Sequence, residues 1–573
     1  MKMLRSTSLK SIFHNAYLKI SAVLLIIAAI GFSTVGHYGV SWDESLEIGM
    51  VKSNFDLIVK GKPLPTDLKH YGVLFNLSSE VVYQLKKFSE EGLSYDPLAE
   101  AKLNVDNNQE TFQQVIYKGL YERIKVKHPF TFFVSLIAYI SVAGLTWILA
   151  GKQYAWFAPI VLALIPRFWG HSFFNPKDIP FAAMLTLGTW VGTCLIGYYF
   201  KQEAQGKVIF GFNRITTYSL LYGVLVGLAT GTRIGGFFLL FFFGVAHFAT
   251  RIVKGNFLQY LLRFWKFYLL IGVAWAITTT AIHPSAWSNP AGWFIGTLQY
   301  LSAHVRDAGD LFEGKNWHTP DLPWYYLPKW MLISIPAIFQ VAFWGGVIWI
   351  AFKYKKLSDL QRAGAIFVLL QVFFMPTIAI LKDANIYGGM RQFLFVLPGV
   401  ATIAAMAMIW FYQILQKKFW GLAYIAQVTI FLSPIVLDMI AIHPYQYAYF
   451  NREIGGLPQA VEQYDTDYWS LSLREGMEWL NANGKPNSTV LVAGSFHAAR
   501  IFADMDQFAL FEYKPAQNEE AEQSETPDYF LVLHRWRMQD KYPECQVVHQ
   551  VARQNVPLAS VKQCSDFSLN IER

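Results

Sequence analysis

Apolar runs long enough to cross a bilayer recur along the chain from Tyr17 to Ile442 and then cease. A hydrocarbon core of about 30 Å takes roughly 20 helical residues to cross, and helices satisfy their own backbone groups there. The recurrence predicts a polytopic α-helical membrane protein. Composition agrees, since 54% of the 573 residues are apolar and 15% are charged, against about 25% charged in ordinary soluble domains. The expected spans are 17–34, 129–150, 154–166, 180–200, 217–231, 234–250, 267–283, 328–352, 363–381, 392–414 and 420–442, eleven in all. Residues 217–250 read as a hairpin because an isolated charge in lipid is costly, and Arg233 sits between the glycines of Gly231-Thr232-Arg233-Ile234-Gly235-Gly236.

The net charge of +8 does not signal nucleic acid, because Lys and Arg fall in short blocks between apolar runs. Lys2, Arg5, Lys10 and Lys19 precede the first run, which reads as a signal-anchor with a cytoplasmic N-terminus. A cleaved signal peptide is disfavoured, because no small-x-small site follows. The connections expected inside hold Lys201, Lys207 and Arg214, then Arg251, Lys254, Arg263 and Lys266, then Lys353, Lys355, Lys356 and Arg362, then Lys417 and Lys418. The longer connections on the other side are poorer in cations. The expected location is therefore the cytoplasmic membrane, with the C-terminal tail in the periplasm or exterior.

This alternation divides the chain into a transmembrane unit, 1–442, with outer loops 35–128 and 284–327, and an extracytoplasmic domain, 443–573. Helical patterning shows at Val81 to Phe88 and Phe112 to Ile124. The tail reads as a small α/β domain, with strands at Thr489 to Val492 and Tyr529 to Leu533, a helix from near His497, and a hairpin between Cys545 and Cys564. Those two cysteines, in an oxidising periplasm or exterior, are expected to pair, while Cys194 in an apolar run reads as a packing residue.

Candidate functional residues gather at the outer ends of the spans. Trp42-Asp43-Glu44 follows the first span directly. The connection before the fourth span runs from Arg167 through His171, Asn175-Pro176-Lys177-Asp178 and Pro180, which suits a helix start whose free N–H groups face an anionic headgroup. Lipid anchoring by interfacial Arg, Lys and Trp is the plainer alternative. Arg233, Arg391, His128-Pro129, His283-Pro284 with Trp287, and His443-Pro444-Tyr445 share the same expected depth. Cations that bind phosphate beside aromatics that pack on sugar rings suggest one cavity for both.

The layout from Asp43-Glu44 to the polar tail resembles the multi-spanning glycosyltransferases of the GT-C class, in particular family 39 relatives of protein O-mannosyltransferases and lipid A aminoarabinose transferases. The resemblance rests on Asp43-Glu44, His128-Pro129, Asn175-Pro176-Lys177-Asp178 and the segment His443 to Asn451. It departs at Phe130, where the mannosyltransferases often have a second proline. It implies inverting transfer of a sugar from a polyprenyl-phosphate donor to a lipid, glycan or protein hydroxyl, with Asp43 as general base and Glu44 orienting it or binding a sugar hydroxyl. Arg167, Lys177, Arg233 and Arg391 would bind the donor phosphate. His128, His171, Asn175, Asp178, His283, Trp287, His443 and Tyr445 would line the substrate cavity. No organic cofactor is expected, and no dense Asp or His cluster signals a metal, although a divalent ion stays open.

Three rivals stand beside this reading, and the weakest is a scaffold whose tail recruits partners, for which nothing but the tail argues. A transporter or flippase would also place charge among its helices, but inverted repeats with interrupted midplane helices are not visible here. A ligase or polymerase using a diphosphate-linked donor shares the same membrane setting. Reporter fusions at Lys356 and Asn483 are expected to report opposite compartments, and finding both on one side would remove the topology.

Overall fold

The computed structural model describes residues 15–66, 68–92, 109–252, 257–303, 309–416, 420–514 and 527–564. Lys2, Arg5, Lys10, Lys254, Lys417 and Lys418, used above to orient the chain, lie outside these residues. From the N-terminal side, α1 (Ala16–Thr34) is a crossing helix, and α2 (Glu44–Lys60) and α3 (Leu74–Glu91) occupy the first long loop. A 42-residue helix, α4 (Gln109–Ala150), carries the end of that loop into the second crossing. Then come α5 (Phe157–Ala163), α6 (Pro166–Phe174), α7 (Asp178–Ala204), α8 (Arg214–Thr232), α9 (Phe238–Ile252) and α10 (Phe257–Ile282). The second loop holds α11 (Pro290–Ala303), the strands β1 (Asp310–Phe312) and β2 (Lys315–Trp317), and α12 (Tyr326–Ser334). The bundle ends with α13 (Ala337–Lys353), α14 (Asp359–Leu381), α15 (Val396–Gln416) and α16 (Gly421–Ala441).

Among the described residues ten helices are long and apolar enough to cross a membrane, or eleven if α5 and α6, bent by 74° at the break between them, count as one crossing. The chain is thus a multi-pass membrane protein. Two expected spans change form. The third, at 154–166, is not a straight helix: Pro166 starts a new helix whose nine residues are all buried, so α6 turns away from lipid into the protein. The eighth, at 328–352, splits at Ile335-Pro336. A residue before proline is driven out of the α region, and Ile335 has ψ 134°, so α12 stops and the crossing proper begins at Ala337. The break at Arg233 between α8 and α9 is where the glycines predicted it.

Contacts between helix ends show that the bent pair carries the chain from one end of the bundle to the other. At one end Gln361, in the first turn of α14, donates to the Leu149 carbonyl of α4 at 3.2 Å. There too Arg251 of α9 pairs with Glu203 of α7 at 2.9 Å and Asp359 of α14 at 3.3 Å. Asp178 and Arg233, the opposite ends of α7 and α8, meet at the other. Between them the packing of α4, α6 and the turn after α1 is aromatic: Phe173 stacks on Phe132 at 4.9 Å and on Tyr38 at 4.1 Å. Such pairs add about 0.5–1.5 kcal/mol each beyond the area they bury, and within lipid, packing rather than water exclusion joins helices.

After α16 the chain stays on the bundle before it enters the tail. Residues 445–450 press on α6, where Gly170 is required: a Cβ there would stand 2.5 Å from the Tyr447 nitrogen. Asn451 donates its amide to the carbonyls of Leu332 at 2.7 Å and Ile335 at 3.1 Å. Beyond α17 (Gly456–Ala460) and α18 (Leu473–Asn483) lies a mixed five-stranded sheet of order β4-β3-β5-β7-β6. The strands are β3 (Ser488–Ala493), β4 (Phe508–Glu512), β5 (Tyr529–Leu533), β6 (Gln546–Arg553) and β7 (Val556–Gln563), and a short α19 (Phe496–Arg500) follows β3. β3 runs parallel to β4 and β5, while β7 is antiparallel to β5 and β6. The tail is tied to the first loop by Arg474, which donates to the carbonyls of Gly36 at 2.6 Å and Tyr38 at 3.0 Å.

Cys545 and Cys564 form a disulfide that closes the open end of the β6–β7 hairpin. Cys194, expected inside the packing, instead faces outward from α7. In denaturing detergent, one of the three thiols per chain is expected to react with an alkylating reagent before reduction and all three afterwards. Three reactive thiols without reductant would contradict the bond.

Candidate active site at one end of the bundle

The turn into α2 separates its two acids. Glu44 is fully buried, and its Oε2 accepts from the Ser41 N–H at 2.8 Å and the Ser41 hydroxyl at 3.1 Å. Its Oε1 lies 2.9 Å from Nε2 of His128 on α4. Burial opposes ionisation of this carboxyl, but the charge and hydrogen bond of His128, the charge of Lys127 and the Ser41 N–H together hold it below the usual range. Glu44 therefore acts as a strut between α2 and α4. Asp43 points elsewhere, with its Oδ2 3.3 Å from Nη1 of Arg391 and 4.0 Å from Nζ of Lys177.

From Asp43 the charges continue as an alternating group. Lys177 pairs with Glu47 at 2.7 Å, and Glu47 also accepts from the Asn76 amide of α3. Asp178 pairs with Arg233 at 2.5 Å and lies 3.9 Å from Arg391. Asn175 shapes this corner, accepting from the Asp178 N–H at 2.8 Å and donating to its carboxylate at 3.0 Å. Three carboxylates thus alternate with three cations. Burial favours the neutral form of Lys177, yet Glu47 and Asp43 outweigh it and raise the affinity of this amine for its proton. Burial likewise opposes the charge on Arg391, and Asp43, Tyr387 and Asp178 reverse the effect. The Arg391 guanidinium also lies 4.9 Å over Trp469 and 5.1 Å over Tyr387, and its Nε finds no acceptor among the described residues.

Arg391 is aimed by a glycine turn. Gly388 and Gly389 have φ of +65° and +70°, and a Cβ at Gly388 would meet the Arg391 Nε at 2.9 Å. Asp310 of β1 clamps that turn: its Oδ2 accepts from the Gly388 N–H at 2.8 Å and from the Tyr326 hydroxyl at 2.6 Å, and the same hydroxyl accepts from the Gly389 N–H at 2.9 Å. Burial first, and the neighbouring Asp465 second, raise the Asp310 carboxyl to about 7, against the opposing pull of Arg535. Trp469 is held from behind by Asp467, which accepts from the N–H groups of Leu471 at 3.1 Å and Ser472 at 2.8 Å.

The remaining expected residues divide. His171 stands one layer behind, 2.8 Å from the Tyr468 hydroxyl and 3.3 Å from the Asn175 amide. Arg167 is sealed in the core, donating to the Tyr449 carbonyl at 3.2 Å and lying 4.9 Å over Trp330. His283 sits against Trp293 and bonds the Thr279 carbonyl at 2.8 Å, with Trp287 exposed nearby. His443 pairs with His37 at 2.7 Å, and Tyr445 donates to Glu475 at 2.8 Å under the Arg553 guanidinium. Arg167, expected to bind the donor phosphate, and His283, Trp287, His443 and Tyr445 are not brought to the charge group. Glu47, Asp310, Tyr326, Tyr468 and Trp469 join the site or its support without having been expected. Glu47 alone had a signal, since it follows Asp43 by four residues, the spacing of neighbours on one helix face. Among the described residues no three His, Cys, Asp or Glu side chains could jointly hold a metal ion.

No family model matches the chain, and no curated protein matches it by sequence. Among solved structures, the apo form of the Archaeoglobus fulgidus oligosaccharyltransferase aligns with a TM-score of 0.43 at 12% identity, over 90% of this chain and 69% of that one. The same protein tethered to an acceptor peptide containing the NVT sequon gives 0.42 at 13% identity, over 88% and 65%. Its complex with Zn and sulfate gives 0.40 at 10% identity, over 89% and 67%. Similarity at this level transfers neither a substrate nor a residue role.

The Asp310 clamp generates a pH signature. Its folded pKa of about 7 lies above the unfolded value of about 3.9, so the folded chain holds an extra proton between the two. The stability it contributes is complete below about pH 4, declines as pH rises toward about 7 and is then lost, with a limiting slope of about 1.4 kcal/mol per pH unit. Relative to wild type, Asp310→Asn is expected to gain thermal stability across that window and to level off above it. A difference independent of pH would show that Asp310 does not titrate there.

Proposed function

We propose that this chain is an inverting glycosyltransferase that moves a sugar from a polyprenyl-phosphate donor to an acceptor hydroxyl at the outer face of the cytoplasmic membrane. The observation that carries the reading is the placement of Asp43: a carboxylate at the edge of a group in which Arg391, Lys177 and Arg233 converge within ion-pair distance of acids. Asp43 takes the proton of the acceptor hydroxyl while that oxygen attacks the anomeric carbon. The bond from the anomeric carbon to the phosphate oxygen breaks, and its electron pair leaves on the phosphate. The three cations stabilise that charge, so the departing group needs no proton. Arg391 is suited to this because its Nε has no acceptor among the described residues, and guanidinium groups match phosphate geometry. Glu44, fully bonded to Ser41 and His128, orients the turn that presents Asp43. The family 39 enzymes named above supply the analogy for donor class, and the charged site of this chain supports it.

Asp43→Asn is expected to lower single-turnover transfer by about 10² to 10⁴ while the donor still binds. Arg233→Ala and Arg391→Ala are expected to weaken both donor affinity and the rate. Purified variants should be assayed with a panel of polyprenyl-phosphate sugars, with thermal stability measured in parallel, because each change leaves a buried partner charge unmatched. Near-normal turnover by Asp43→Asn would sink the mechanism.

A further inference from the structure

Two indoles, one of them on the turn that carries Asp43, take no part in the charge group. Trp42, the preceding residue, and Trp536, in the loop after β5, meet with ring centroids 6.0 Å apart and planes at 74°. Trp536 is 40% exposed, yet it is fixed. Its Nε1–H donates to the Gly309 carbonyl at 2.8 Å, and the Arg535 guanidinium lies 4.2 Å over its ring. Arg535 is in turn held by Asp465 at 3.2 Å and by the Tyr468 carbonyl at 3.0 Å. Trp536 and Arg537 both adopt left-handed backbone, with φ of 54° and 56°, a region that residues with side chains enter at a cost and that clusters at ligand-binding sites. The backbone of Trp42 is anchored as well, its main-chain N–H donating to the Trp469 carbonyl at 3.2 Å.

We propose that Trp42 and Trp536 form an acceptor subsite for a pyranose ring, so that the hydroxyl offered to Asp43 belongs to a carbohydrate. The proposal deepens the glycosyltransferase reading and rests on it for the role of Asp43. Two indoles near a right angle give the C–H face of a sugar one ring to lie on and a second to brace against, at low entropy cost because the Trp536 ring is already held and the Trp42 ring rests against it. An anionic acceptor is disfavoured at this corner, since Arg535, the cation over the Trp536 ring, is committed to Asp465. The corner is built by the first loop and the tail, not by the crossing helices, so the acceptor enters from the aqueous side. Trp469 links the two halves of the site: its ring lies under the Arg391 guanidinium and its carbonyl holds Trp42.

Two measurements on the full chain in detergent separate this proposal from the reading it rests on. Saturation transfer from protein to a panel of methyl hexosides and disaccharides, recorded without donor, is expected for at least one saccharide in wild type and in Asp43→Asn. It should be lost in Trp536→Ala and largely kept in Trp536→Phe. In the transfer assay Trp536→Ala is expected to raise the acceptor KM about tenfold, with donor affinity within twofold of wild type and kcat less affected than KM. Absence of saccharide binding in wild type, or binding that survives both Trp536→Ala and Trp42→Ala, overturns the subsite even if donor turnover is observed. Transfer to a serine peptide or a lipid phosphate with an unchanged KM in Trp536→Ala does the same. Saccharide binding that depends on Trp536 without any donor turnover would leave the subsite standing and overturn the donor reading.

Discussion

The mutual neutralisation of buried charges organises everything at the functional end of this molecule. Asp43 and Glu47 lie at the first turn of α2, Lys177 and Asp178 at the start of α7, Arg233 at the end of α8, and Arg391 on the turn before α15. Each alone would carry a desolvation cost of several kcal/mol beside the membrane. Together they offset one another, and the distances that achieve this dictate where four separate stretches of chain must stop. Electrostatic sites work best when their dipoles are set before the reaction begins, and here the acids do the setting. Under the proposed function, a phosphate arriving among them would exchange one set of anionic partners for another, so its affinity would reflect a difference between two good arrangements.

Much of the bundle was legible because lipid enforces simple rules. Length and apolarity located the crossings, and the glycines around Arg233 located a break that hydropathy alone would have missed. The two altered spans share a cause. Prolines at 166 and 336 end one helix and begin another within a single apolar stretch, and apolarity cannot distinguish a segment facing lipid from one buried in protein. α6, which no lipid touches, therefore looked like the end of an ordinary crossing and the start of a loop.

The charged site was partly legible for a similar reason. Asp43, Lys177, Asp178, Arg233 and Arg391 stood out because charge at a helix end is conspicuous against apolar sequence. His128 and Asn175 were noticed too, and the structure gives them supporting positions beside Glu44 and Asp178. Glu47 was visible only as a helical neighbour of Asp43. Asp310, Tyr326 and Trp469 reach the site through long-range folding of the second loop and the tail, and no local pattern marks them. His443 and Tyr445 misled for the opposite reason: polar aromatics near a membrane surface look alike whether they face a ligand or, as here, brace the tail against the bundle through Arg553 and Glu475.

The separation between Asp43 and Arg391, 348 residues along the chain, has a consequence for how the protein is made. At a synthesis rate of about 5–20 residues per second, Asp43 leaves the ribosome roughly 20 to 70 seconds before its arginine does. Lys177 arrives earlier and can pair with Glu47 and Asp43 in the meantime, after which Arg233 can meet Asp178. Trp469, which covers the Arg391 guanidinium, comes last of all. The nascent chain thus never has to carry the whole charge group unmatched: acids and cations are delivered to the membrane surface in an order that lets each newcomer find a waiting partner, and the aromatic cover closes only when that exchange is complete.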